Sequence, residues 1–274
     1  MGKILRAFLV AALLGGGGLL AHHILTQEPQ HTPGVTAPVS SAASSKAVYA
    51  LRVLFIGNSY TFYNNLPGML LKIAESDPDN TIRFTVQSVT EGGIGLKELW
   101  ERGNAYNAIQ AGPWDYVVLQ EQSFWAMFPE SVITTTKMAR LFDEQIRLAQ
   151  SRTLLVTTWP RQPGSHWYTD GQTSFLRSPE YMLHQFDIKT QELSERLGGA
   201  VVIPVGDYWL AALGQHPDIP LYIADGTHPS PAGTYLAALV YYRYFTGRNA
   251  ANIGYVPGGI TAAQAKQLQA LVQW

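Results

Sequence analysis

Leu51-Arg52-Val53-Leu54-Phe55-Ile56-Gly57-Asn58-Ser59-Tyr60-Thr61 is the stretch that decides the fold. Its first six residues form a short apolar run, which predicts a strand buried on both faces. Gly57 closes the run, and a turn of small polar residues follows. Beyond it, Leu66, Met69, Leu70 and Ile73 recur at helical spacing, so Leu66 to Glu75 reads as a helix.

The same alternation continues outward. Thr81 to Val89 is β-branched and alternating, a second strand. Trp114 to Leu119, Thr153 to Thr158 and Ala200 to Val205 read as three more strands. Between them, Leu96 to Gln110, Ser131 to Gln150 and Pro179 to Leu197 read as helices. Strands alternating with helices of this length imply βαβ units, hence an α/β domain with a parallel sheet in three layers. In such sheets ligands bind beyond the carboxyl ends of the strands, so the residues just after each strand are where chemistry belongs.

The bulk numbers set limits on that chemistry. The chain has 274 residues, 46% hydrophobic and 14% charged, enough for one domain with a large core. Lys and Arg number 19 against 20 acids, which offers no basic field for nucleic acid. There is no cysteine, so thiol catalysis, disulfides and thiolate zinc sites are excluded. No metal and no cofactor is expected.

Residues 1–25 read as a targeting segment. Lys3 and Arg6 precede an apolar stretch from Ala7 to Ala21 that holds four glycines. That stretch is short for a bilayer core, which asks for about 20 residues, and suits a signal peptide, with an uncleaved membrane tether through residues 7–21 as the alternative. The expected location is exported, in the periplasm or cell envelope. Residues 26–46, rich in Pro, Thr, Ser, Ala and Gln, read as a disordered linker, with the folded domain spanning 47–274.

Four strand ends carry candidate groups. Ser59, after the first strand, can present a hydroxyl nucleophile to the crevice; a serine there can equally cap the next helix. After the second strand, Glu91-Gly92-Gly93-Ile94-Gly95 offers unobstructed N–H donors or a plain tight turn. After the third, Gln120-Glu121-Gln122-Ser123 brings polar side chains that could donate to an oxyanion or satisfy loop backbone. Near the end, Asp225-Gly226-Thr227-His228-Pro229-Ser230-Pro231 places a carboxylate three residues before a histidine, on a loop fixed by a helix start at Ser230-Pro231. Such a carboxylate can hold the tautomer that a general base needs.

Taken in order, these segments resemble the blocks of the SGNH/GDSL hydrolases over roughly Leu51 to Thr246. G-N-S-Y-T is similar to the first block and D-G-T-H-P-S to the last. The resemblance implies a flavodoxin-like, five-stranded parallel sheet and a triad of Ser59, Asp225 and His228. It also implies an oxyanion hole from Ser59, a second-block glycine and a third-block side chain, the glycine mapping best onto Gly93 with Gly92 or Gly95 as alternatives. The third block departs from the usual G-x-N-D; L-Q-E-Q-S is closer to a glutamine version, with Gln120 as first choice of donor and Gln122 as second. The implied activity is a serine esterase acting through an acyl-enzyme on an O-acetyl or other short-acyl ester. The expected partner is a small-molecule or glycan ester. An O-acyltransferase on an envelope glycan and a non-catalytic glycan-binding module of the same fold are the alternatives. The loop from Trp159 to Ser178, with Trp159, Trp167, Tyr168 and His166, is long enough to contribute to such a site.

Overall fold

The computed structural model describes residues 33–41 and 49–273. The expected targeting segment lies outside them, as does most of the expected linker. Among the described residues no helix is long and apolar enough to cross a membrane.

The strands are β1 (Gly34–Val35), β2 (Val39–Ser40), β3 (Tyr49–Gly57), β4 (Ile82–Thr90), β5 (Tyr116–Leu119), β6 (Arg152–Val156) and β7 (Val201–Ile203). The helices are α1 (Ser59–Phe62), α2 (Leu66–Ser76), α3 (Leu96–Glu101), α4 (Asn104–Gln110), α5 (Pro129–Leu148), α6 (His166–Thr169), α7 (Pro179–Arg196), α8 (Val205–Gln215), α9 (Pro231–Thr246) and α10 (Ala262–Leu271). Five strands pair in parallel in the order β4-β3-β5-β6-β7, the flavodoxin-like order. The order reverses between β3 and β5, which opens a crevice beyond their carboxyl ends.

β3 shows why an unbroken apolar run was needed. Val53 and Phe55 pack on one face with α2, α8 and α9, whereas Leu54 and Ile56 pack on the other with α3, α4 and α5. Successive strand side chains point to opposite faces, and here both faces are covered by helices. α9 is buried along its length: every residue from Ala232 through Tyr242 is buried, so the helix is apolar all round rather than on one stripe.

Three expectations needed correction. The sheet has seven strands, because β1 and β2 add antiparallel to the free edge of β4. The folded unit therefore begins by residue 33, ahead of Ala47, and residues 33–41 are not a disordered linker. Thr36 exchanges hydrogen bonds with the Ser88 backbone, and Ser41 Oγ accepts the Phe84 N–H at 3.1 Å. Val35 and Val39 stay exposed. What orders this segment is backbone pairing with a sheet edge, which leaves no apolar signature in the composition. The single helix expected over Leu96 to Gln110 is two, broken at Gly103, whose φ of 76° lies in the left-handed region. Finally, α8 and α10 were not anticipated; α8 follows β7 with only Pro204 between them.

Candidate active site

β3 delivers Gly57 to a close approach. A Cβ there would stand 2.6 Å from Gln120 Oε1 and 2.7 Å from Thr61 Oγ1, so the position has no room for a side chain. Asn58 then caps α1, its Oδ1 accepting the Tyr60 N–H at 3.2 Å. Its Nδ2 donates to the carbonyls of Ile94 (3.0 Å) and Glu121 (3.4 Å), tying the turn after β3 to those after β4 and β5. Ser59 is the first residue of α1. The Ser59 N–H has no acceptor among the described residues, as expected for the first N–H of a helical turn.

The loop before α9 supplies the partners. Ser230 caps α9, with Oγ accepting the Gly233 N–H at 3.2 Å, and Pro231 starts the helix as its sequence predicts. Asp225 Oδ1 accepts the N–H groups of Thr227 and His228, each at 2.9 Å. Its other oxygen, Oδ2, stands 2.6 Å from His228 Nδ1. His228 Nε2 in turn is 2.8 Å from Ser59 Oγ. Hydroxyl, imidazole and carboxylate thus form one connected line from residues 169 positions apart. Burial pushes the Asp225 carboxyl up, but the hydrogen bonds from the His228 ring and the two N–H groups outweigh it and hold the pKa below the usual value. Tyr63 stacks on the His228 ring at 4.4 Å and 14°, which fixes the ring plane.

The glycine loop is resolved by its contacts. Gly95 cannot be a free donor, since its N–H is given to Glu98 Oε2 at 3.0 Å. Gly93 has φ 76°, open space where a Cβ would stand, and an N–H without an acceptor among the described residues. Its N–H is thus unengaged.

Gln120 Oε1 accepts the Asn58 N–H and the Thr61 hydroxyl, both at 3.0 Å, and its Nε2 donates to the Glu121 carbonyl. The oxygen is thereby taken up in holding the turn and one of the two amide hydrogens is spent on the loop backbone, which leaves the first choice of side-chain donor a single N–H on a buried amide. Gln122 Oε1 accepts the Phe124 N–H at 2.7 Å, and its Nε2 has no partner among the described residues. Of the two glutamines, Gln122 has both amide hydrogens unengaged and Gln120 has one.

Several residues around the site take roles that the sequence did not assign to them. Glu121 accepts the N–H groups of Leu96 (3.1 Å) and Gln122 (2.6 Å) and the Thr135 hydroxyl (3.0 Å), joining three elements through one carboxylate. Burial pushes its pKa up despite those bonds. Trp159 stacks between Tyr60 (4.3 Å) and Trp209 (4.2 Å) and is a core residue. Trp167 donates its indole N–H to the Asp225 carbonyl at 2.9 Å, whereas His166 is exposed. A cleft of about 440 Å³ begins at Gly93 and Gln122 and runs past Trp125, Glu130, Ser131 and Thr134. Ser59, His228 and Asp225 do not line this cleft.

No protein-family model and no curated protein matches the chain. Solved structures do. A protein described as a candidate SGNH hydrolase from Slackia heliotrinireducens is 27% identical with a TM-score of 0.58, over 72% of this chain and 99% of that one. A DUF4886 family protein from Bacteroides uniformis is 19% identical with a TM-score of 0.64, over 81% and 93%. An acetyl xylan esterase is 14% identical with a TM-score of 0.53, over 71% and 99%.

Proposed function

We propose that this chain, a member of the SGNH/GDSL hydrolase superfamily, is a serine carboxylic ester hydrolase that removes a short acyl group from a polar, sugar-like alcohol. The observation that carries the reading is the line from Ser59 Oγ through His228 to Asp225 Oδ2, with gaps of 2.8 and 2.6 Å. His228 Nε2 accepts the Ser59 proton as Oγ attacks the ester carbonyl carbon. The imidazolium so formed faces the Asp225 carboxylate, which also fixes the ring's tautomer. The carbonyl oxygen, now an alkoxide, takes hydrogen bonds from the Ser59 and Gly93 N–H groups and the Gln122 amide. His228 returns the proton to the departing alcohol, leaving an ester on Ser59. Water, deprotonated by the same imidazole, then releases the acid.

The cleft favours a polar substrate. Its wall carries hydroxyls of Ser131 and Thr134 and the Glu130 carboxylate around one indole, Trp125. A long acyl chain gains about 0.8 kcal/mol per buried CH₂ only where the surface is continuously apolar, and this one is not. Hydroxyls and carboxylates with one aromatic edge suit a polyol. The acetyl xylan esterase of the same fold acts, by its name, on an acetylated sugar polymer.

Two measurements test the reading. A fluorophosphonate probe should label the wild-type chain and leave Ser59→Ala unlabelled; equal labelling of both would refute the nucleophile. On nitrophenyl esters from acetyl to palmitoyl, kcat/KM should fall as the chain lengthens, and an O-acetylated sugar should release acetate. A preference for long chains would overturn the substrate class.

A further inference from the structure

Arg161 lies in the loop after β6 and is 3% exposed. It has no carboxylate partner among the described residues. Burying an arginine without a counter-ion is costly, and an apolar residue of similar length would fill the space at no such penalty. The cost is offset in part, the buried Nε having no partner among the described residues. The guanidinium lies over the ring of Phe124 at 4.2 Å and that of Trp167 at 4.8 Å. Its Nη1 donates to Tyr60 Oη and Thr227 Oγ1, which stand 2.9 Å from each other, and its Nη2 donates to Ser123 Oγ at 2.8 Å.

Those three hydroxyls have one property in common. Tyr60 follows Ser59, Thr227 precedes His228, and Ser123 follows Gln122. They sit on three separate segments: Tyr60 in α1 after β3, Thr227 on the loop before α9 and Ser123 on the loop after β5. The arginine's own segment is held in place: Tyr168 Oη donates to the Arg161 carbonyl at 2.9 Å, and Tyr222 Oη to the Pro160 carbonyl at 2.8 Å. Trp159 Nε1 further donates to the Thr227 carbonyl at 3.0 Å.

We infer that Arg161 is a positioning residue whose rigid fork sets nucleophile, base and side-chain oxyanion donor in mutual register from beneath the site. A planar guanidinium offers donors at fixed spacing, so it can fix three hydroxyls relative to one another; a lysine ammonium is a point on a flexible stem and cannot. Loops carrying reacting groups need such a constraint, since a misplacement of about 1 Å can cost about 100-fold in rate. The inference rests on the reading of Ser59, His228 and Gln122 given above.

The test uses the full chain with nitrophenyl acetate, the fluorophosphonate probe and thermal melts. Arg161→Met should melt cooperatively and lose about 100-fold in kcat with KM changed by no more than a few-fold. Arg161→Lys, which retains the charge, should not recover the rate. Arg161→Ala should regain activity when guanidinium is added below denaturing concentrations, which a collapsed loop would not do. A wild-type kcat in Arg161→Met overturns the inference, as does full recovery in Arg161→Lys or absence of rescue in a folded Arg161→Ala. If the arginine variants do not fold, Ser123→Ala decides, because it removes one arm and keeps the guanidinium. Its kcat should drop at unchanged melting temperature, and an unchanged kcat overturns the inference. Failure of the underlying reading shows separately, as a wild-type chain that the probe does not label.

Discussion

Gln120 Oε1 accepts the backbone N–H of Asn58 at 3.0 Å, across the gap between the ends of β5 and β3. The same oxygen takes the Thr61 hydroxyl, so one amide fixes the turn that presents Ser59. This side chain holds the nucleophile turn, whereas Gln122, two residues on, has an unengaged Nε2.

The two glutamines should therefore separate in experiment. Gln122→Ala should lower kcat about 100-fold, the usual cost of one oxyanion donor, with an unchanged melting temperature. Gln120→Ala should instead cost about 1–3 kcal/mol of stability, because it leaves the Asn58 N–H and Thr61 hydroxyl buried without an acceptor. Denaturant melts and steady-state kinetics on both variants check the division. A large rate loss at full stability in Gln120→Ala would reverse the assignment.

Asp225 carries a second prediction, with a pH dependence. Its pKa is held below the ordinary carboxylate value by His228 and two N–H groups. A depressed folded-state pKa contributes stability that is present above the unfolded value, about 3.9, and is lost as pH falls through the folded value. Asp225→Asn should thus be less stable than wild type at neutral pH, with the gap closing below about pH 4. In activity it should lose between about 10² and 10⁴ in kcat, since an asparagine facing Nδ1 no longer favours the tautomer or stabilises the imidazolium. Melting curves from pH 3 to 8, beside rates at pH 7, measure both.

The Asp187 and Asp207 carboxyls, on α7 and α8, give the opposite sign. Burial and the Asp207 charge beside it raise the Asp187 pKa to about 6, against a weaker downward pull from His184 and Thr157. Burial raises Asp207 as well. A raised carboxyl binds protons in the folded state that the unfolded chain has already lost, so its stabilisation is full below about pH 4 and fades as pH rises through about 6. Asp187→Asn removes the charge that is unfavourable there. The variant should melt higher than wild type at pH 8 and show a flatter Tm between pH 4 and 6. A lower melting temperature at pH 8 would contradict the assignment of strain to that carboxyl.

How much of this was legible beforehand follows from where each signal resides. β3 and the Ser230-Pro231 helix start were readable because apolar runs and caps are local properties of the chain. Ser59 was legible because a parallel sheet sends its strand ends to one edge, whereas Asp225 and His228, on the loop between α8 and α9, were legible from their three-residue spacing ahead of the Ser230-Pro231 helix start. Gln120 and Gln122 were not separable from sequence. They are two residues apart, of the same chemistry, and only the approach of Gly57 and Asn58 decides which amide is consumed. Arg161 left no trace for the same reason, since its partners Tyr60, Ser123 and Thr227 are distant in the chain. β1 and β2 were missed because an exposed edge strand is ordered by backbone bonds that no composition reveals.

Gly233, in the first turn of α9, offers a test that links packing to the site. A Cβ there would overlap the Leu221 carbonyl and the Trp209 ring. Neither can retreat cheaply: Leu221 O already accepts the Ser230 N–H at 2.9 Å, and Trp209 is fully buried in the stack with Trp159. Gly233→Ala must therefore push α9 away from the loop that carries Asp225 and His228. Helix propensity alone would make this change favourable by up to about 1 kcal/mol. Overpacking against backbone should win, with a net loss of about 1–3 kcal/mol. Because the displaced loop holds the base, kcat should fall while the nucleophile turn stays intact, and fluorophosphonate labelling should slow in parallel. A stabilised variant with wild-type kinetics would mean that α9 can move without carrying His228 from Ser59.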